Sequence, residues 1–156
     1  MNAKNWQVFK EYGIYDVDML VKHCLQSLVG QDVRSQLRTQ NVVRIEREPL
    51  LCTGGMKQHL MDNNCSGFDI ILNDTNSNDD DISTVAHEIG HTFEACHGGS
   101  YLKSAGCDIC RARPEFADLS ERFAETFGQN WLADTKNRLG LTELLRQLTA
   151  SRPLRI

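Results

Sequence analysis

The chain has 156 residues, 40% hydrophobic and 24% charged, which is enough apolar material for a core without covalent staples. Its net charge of −4, with no long Lys/Arg run, excludes the footprint of a nucleic-acid binder and of a polybasic membrane patch. No apolar stretch nears the ~20 residues of a membrane-spanning helix, and Met1–Trp6 lacks the apolar centre of a signal peptide.

One domain over 1–156 is therefore expected, either cytoplasmic or exported as an effector by a route that uses no signal peptide. Asp16 is a candidate N-cap for an amphipathic helix over 16–38. Val17, Leu20, Val21, Cys24, Leu25, Leu28 and Val29 recur on one face of it, and Gly30 either ends its first part or weakens it. Asn41–Arg47 reads as a strand closed by Pro49. Residues 50–66 fit neither periodicity, with a turn at Gly54-Gly55, and 68–73 is a second strand. The polar segment Asp74–Asp81 reads as a loop feeding a helix that starts near Ile82. Its Asp/Asn alternation lacks the glycine and the terminal glutamate of a calcium loop. After a glycine- and cysteine-bearing loop over 98–114, helices are expected over 115–133 and 137–150. Helix, strands, helix and further helices are an α+β order.

The chemistry sits in His87-Glu88-Ile89-Gly90-His91. Ile82, Val85, Ala86, Ile89 and Phe93 form one apolar stripe around it, so the motif lies on a helix. Histidines four apart share a helical face and can hold one zinc ion, with the glutamate beside them placed to act on water. Gly90 costs ~1 kcal/mol against alanine in a helix interior, and close approach of another backbone or of a substrate would explain it.

A catalytic zinc needs a third protein ligand. Glu121 and Glu125 are four apart on the expected helix over 115–133, so one carboxylate can bind metal while the other orients a ligand histidine. The run Glu121-Arg122-Phe123-Ala124-Glu125-Thr126-Phe127 resembles the glutamate helix of gluzincins, in particular the Glu-x-Phe-Ala-Glu-x-Phe of lethal-factor-like and Pro-Pro endopeptidases. Small regulatory zinc proteases are similar from Ile70 to Glu88, but only half match at the glutamate helix. Carried over by position, this resemblance implies Glu121 as ligand, Glu125 behind His87 or His91, and Glu88 as general base. It also implies a compact zincin-like fold: an N-terminal backing helix, a small twisted and mostly antiparallel sheet, the motif helix, and the glutamate helix. The strand at 68–73 would then be the sheet edge that pairs with an extended substrate. Gluzincins add a second oxyanion donor, for which Tyr101, His97, Arg111 and Arg113 are candidates.

His97 also stands where metzincins place a third histidine, although Glu94 replaces their glycine and no methionine follows the motif. Cys96, His97, Cys107 and Cys110 are the residue types of a structural zinc site, with a disulfide or free thiols as the alternatives. Cys52 and Cys65 are candidates for a second disulfide. The leading expectation is a zinc endopeptidase acting on a protein or peptide, with no nucleic-acid or membrane partner. The alternatives are a catalytically silent zincin-like binding module, a metzincin-type site using His97, and a purely structural metal.

Overall fold

The computed structural model describes residues 13, 15–61, 64–95, 114–149 and 151–156. Among them, five helices and a four-stranded mixed sheet make an α+β fold. In chain order these are α1 (Val17–Gln26), α2 (Val33–Thr39), β1 (Val42–Glu48), β2 (Gly54–Met61), β3 (Asn64–Asn73), α3 (Asn78–Ala95), α4 (Pro114–Ala133), α5 (Thr135–Leu145) and β4 (Leu154–Arg155).

The single helix expected over 16–38 is two. Asp16 caps α1 through the Met19 amide at 2.8 Å, and Val17, Leu20, Val21 and Cys24 are buried. Gly30 then turns left-handed at φ +83, a conformation that ends helices. Asp32 opens α2 by accepting from the Ser35 amide at 2.7 Å. Val29, counted on the apolar stripe, falls in this turn and is 78% exposed.

The sheet order is β2-β3-β1-β4. β1 runs parallel to β3, and the two outer pairings are antiparallel. The strand over 68–73 is therefore the second half of an interior strand, hydrogen-bonded on both sides, and is not the edge. The expectation fails because β1 takes the side of β3 that an extended substrate would have needed. β2, from the stretch of ambiguous pattern, is one edge, and the two-residue β4 is the other.

β4 has no local signal. It is held by long-range polar contacts: Arg34 Nη1 donates to the Arg155 carbonyl at 2.7 Å, and Arg38 Nε donates to the Ile156 carbonyl at 3.1 Å. The helix expected over 137–150 starts at Thr135, capped by Asp134, and ends at Leu145.

Phe68, Ile70 and Leu72 point one way from β3 and are fully buried. Ile70 and Leu72 share a core cluster with Val85, Ala86 and Ile89 of α3 and with Phe123, Phe127 and Trp131 of α4. On the opposite face Asp69 has no exposure, with Arg44 Nε of β1 at 3.0 Å and His59 Nε2 of β2 at 2.9 Å. The histidine contact is a close approach without the alignment of a hydrogen bond. One carboxylate thus ties three strands. No helix among the described residues is long and apolar enough to cross a membrane.

Candidate metal centre

α3 begins four residues before Ile82, inside the segment expected to be loop. Ser77 Oγ accepts from the Asp80 amide at 3.1 Å, while the Ser77 amide donates to Asp80 Oδ2 at 3.4 Å. That reciprocal pair is a capping box with aspartate in the glutamate position. Asp79, Asp80 and Asp81 then occupy the first turn, where the helix dipole favours negative charge.

Asp81 is 2% exposed and takes both arms of the Arg47 guanidinium from β1. This bidentate pair fixes the start of the motif helix to the end of a central strand. Further along, the buried Thr92 hydroxyl lies 2.6 Å from the Ile89 carbonyl and 3.2 Å from Gln40 Oε1 at the end of α2. The motif is held on both sides.

Two glycines bring α4 onto α3. A Cβ on Gly90 would stand 2.8 Å from Ala124 Cα and 3.2 Å from both the Ala124 carbonyl oxygen and Phe127 Cβ. A Cβ on Gly128 would stand 3.2 Å from the His87 amide nitrogen. Each glycine therefore lets the other helix's backbone in. Close approach of another backbone is one of the reasons expected for Gly90, and Gly128, also a glycine inside an expected helix, carries the same signal. Phe93, Phe123 and Phe127 pack beside the crossing, with ring centroids 5.3–6.5 Å apart.

At this crossing the side chains converge. His87 Nε2 and His91 Nε2 are 3.0 Å apart. Glu121 Oε2 lies 3.3 Å from His87 Nε2, and Glu121 Oε1 lies 3.2 Å from His91 Nε2. Ligands ~2.0–2.1 Å from a tetrahedral ion stand roughly 3.3–3.4 Å from one another. Each separation is within a few tenths of an ångström of that, the two Glu121 contacts using different carboxylate oxygens; with one ligand atom from each residue, the three atoms lie within 4.8 Å of one another. His87, His91 and Glu121 form a group that could hold a metal ion. Glu125 Oε2 is 3.5 Å from His87 Nδ1, the other ring nitrogen of that histidine.

Glu88 is nearly buried at 8% exposure. Desolvation pushes its carboxyl above the usual range and the nearby Glu121 charge adds to this, while His91 and His87 pull the other way. The site itself is open, since the Glu121 and Glu125 side chains are 67% and 65% exposed.

Cys96, His97, Tyr101, Cys107, Cys110, Arg111 and Arg113 lie outside the described residues, and so do the expectations that rest on them. Cys24 is buried as expected of a small core residue, and Cys52 is exposed. Comparison with protein-family models, curated proteins and solved structures finds no match to this chain.

Proposed function

We propose that the chain is a zinc-dependent endopeptidase of the gluzincin kind, with His87, His91 and Glu121 as zinc ligands and Glu88 as general base. The observation that carries this reading is the arrival of Glu121, from a separate helix, at 3.2–3.3 Å from both imidazoles of the motif. Two histidines four apart are common. A third ligand supplied across a glycine-mediated helix crossing is not an accident of helical spacing.

A bound zinc ion would supply Lewis acidity, acidifying water and polarising the carbonyl under attack. The protein's own groups do the rest. Glu125 beside His87 Nδ1 favours the proton on that nitrogen and leaves Nε2 as the electron-pair donor. Glu88 takes a proton from the attacking water at a carboxylate oxygen. As the carbon–nitrogen bond breaks, it returns that proton to the leaving amine. Its desolvated position supports the role, because a carboxylate with a raised pKa is a better base than one in bulk water.

The open rim formed by Glu121 and Glu125 suits a polypeptide rather than a small enclosed ligand. The edge of β2, unpaired among the described residues, offers backbone groups with which an extended peptide can pair.

Glu88→Gln tests the mechanism. The variant should bind zinc like the wild type and lose turnover by about 10²–10⁴-fold, the usual contribution of a general base. Unchanged hydrolysis in a variant of full zinc content would end it.

A further inference from the structure

This inference deepens the peptidase reading and rests on it. In the antiparallel β2–β3 ladder, Gly54 stands opposite Leu72 and Met56 opposite Ile70. Directly opposed residues share a face of the sheet. Leu72 and Ile70 belong to the core cluster with α3, so Gly54 and Met56 are on the face turned to the motif helix. Lys57, opposite Asp69, is on the other face.

Gly54 fixes where the edge strand meets that helix. A Cβ there would stand 2.6 Å from Thr84 Cγ2. β3 leads into α3 through residues 74–77, a short connection that returns the helix antiparallel to β3 and so in the direction of β2. From Thr84 to Glu88 the helix rises about 6 Å, at 1.5 Å per residue. From Gly54 to Met56 the strand advances about 6.6 Å, at ~3.3 Å per residue. The two steps match, so ideal helix and strand rises counted from Gly54 and Thr84 put Met56 about level with Glu88.

Met56 is nonetheless only half-buried. Among the described residues it is neither a member of the core cluster nor one of the partly buried side chains packed against it. Among the described residues, Met56 is therefore an apolar side chain on the face turned to the helix layer, placed level with the general base by the matching rises, and outside the core cluster.

We propose that Met56 forms the apolar wall of the subsite for one of the two substrate residues flanking the scissile bond, and selects an apolar side chain there. The thioether is flexible and polarisable, so the wall accepts apolar groups of several shapes.

The test is cleavage profiling of the zinc-loaded full chain on a peptide library, comparing wild type with Met56→Gln, Met56→Ala and, as an outward-facing control, Lys57→Ala. Zinc content and thermal midpoint are measured on each. Peptide binding is measured in parallel on the same variants carrying Glu88→Gln. Met56→Gln is close in size but polar. It should lower kcat/KM about tenfold for apolar residues at one flanking position and weaken binding of the same peptides, in line with the 10–200-fold worth of a small apolar contact. Met56→Ala should admit bulkier groups at that same position, and Lys57→Ala should leave the profile unchanged. An active wild type whose flanking preferences are the same in both Met56 variants overturns the assignment of Met56 alone. Absence of any Glu88-dependent cleavage by the wild type overturns the peptidase reading and this inference with it.

Discussion

Gly90→Ala separates helix propensity from site geometry. In an isolated helix the change should stabilise by ~1 kcal/mol, because alanine orders at lower entropic cost. In this protein the new methyl would stand 2.8 Å from Ala124 Cα, where carbon pairs prefer roughly 3.5 Å or more, so α4 must retreat by about 0.7 Å. Overpacking of this kind costs about 1–3 kcal/mol, which offsets or outweighs the propensity gain. Glu121 precedes Ala124 by three residues and Glu125 follows it by one, so the retreat carries both carboxylates away from the imidazoles. Separations of 3.2–3.3 Å would widen to about 4 Å, beyond the edge of a tetrahedral zinc site. The expected outcome is a metal-free protein no more stable than wild type, with zinc affinity lower by roughly tenfold or more. Gly128→Ala, whose closest contact of 3.2 Å can relax by a few tenths of an ångström, should show a smaller loss of affinity. Urea unfolding of the metal-free proteins and zinc competition against a chromogenic chelator measure both quantities. A Gly90→Ala protein stabilised by the full helix-propensity gain, with unchanged zinc affinity, would refute the argument that this glycine sets the helix separation.

Three further outcomes follow from two buried groups, Cys24 and Asp69. Burial pushes the Cys24 thiol up to about 12 from an ordinary value near 9, while Cys52 is exposed. Native protein at pH 8 should therefore be alkylated by iodoacetamide at Cys52 and not at Cys24, as peptide mass mapping would show; equal labelling contradicts the burial. Because the folded pKa of Cys24 lies above the unfolded one, its contribution to stability is complete below pH ~9 and declines as pH rises from there towards 12. Denaturant midpoints taken across that window should fall, and in a Cys24→Ala background that part of the fall should vanish. Asp69→Ala removes the carboxylate shared by Arg44 and His59 and should cost about 1.5–3 kcal/mol in urea unfolding, the range for hydrogen bonds to charged groups. Arg44 and His59 are partly exposed and can turn to water, which keeps the loss below that of a fully buried pair. A variant as stable as wild type would show that the three strands do not depend on this contact.

What the sequence made legible is what has a local period or a local cap. The apolar stripe of α1, the strand over 42–48 and the motif and glutamate helices follow from side-chain spacing, as does the sharing of a face by His87 and His91 and by Glu121 and Glu125. The early start of α3 was also written locally, in Ser77 and Asp80, but aspartate replaces the usual glutamate of a capping box and the run of acids resembled a loop. β2 was hidden by Gly54-Gly55, a pair that ordinarily marks a turn. Here the glycines begin a strand, because a Cβ at position 54 would meet the Ile71 carbonyl at 2.4 Å and Thr84 at 2.6 Å. Which strand lies at the edge is a matter of pairing, and no periodicity within 68–73 could reveal that β1 joins it in parallel. β4 is further from any local signal, since its anchors Arg34 and Arg38 are 121 and 118 residues away. The candidate metal centre stands between these cases: the spacing of each pair is visible along the chain, and their meeting depends on two glycines in different helices.

The most direct test of that meeting is the metal content of purified wild type beside Glu121→Ala and His97→Ala. Wild type should carry a catalytic zinc, His97→Ala should retain it, and Glu121→Ala should lose it. A Glu121→Ala protein that keeps its full complement of catalytic zinc would contradict the assignment of these residues as one site.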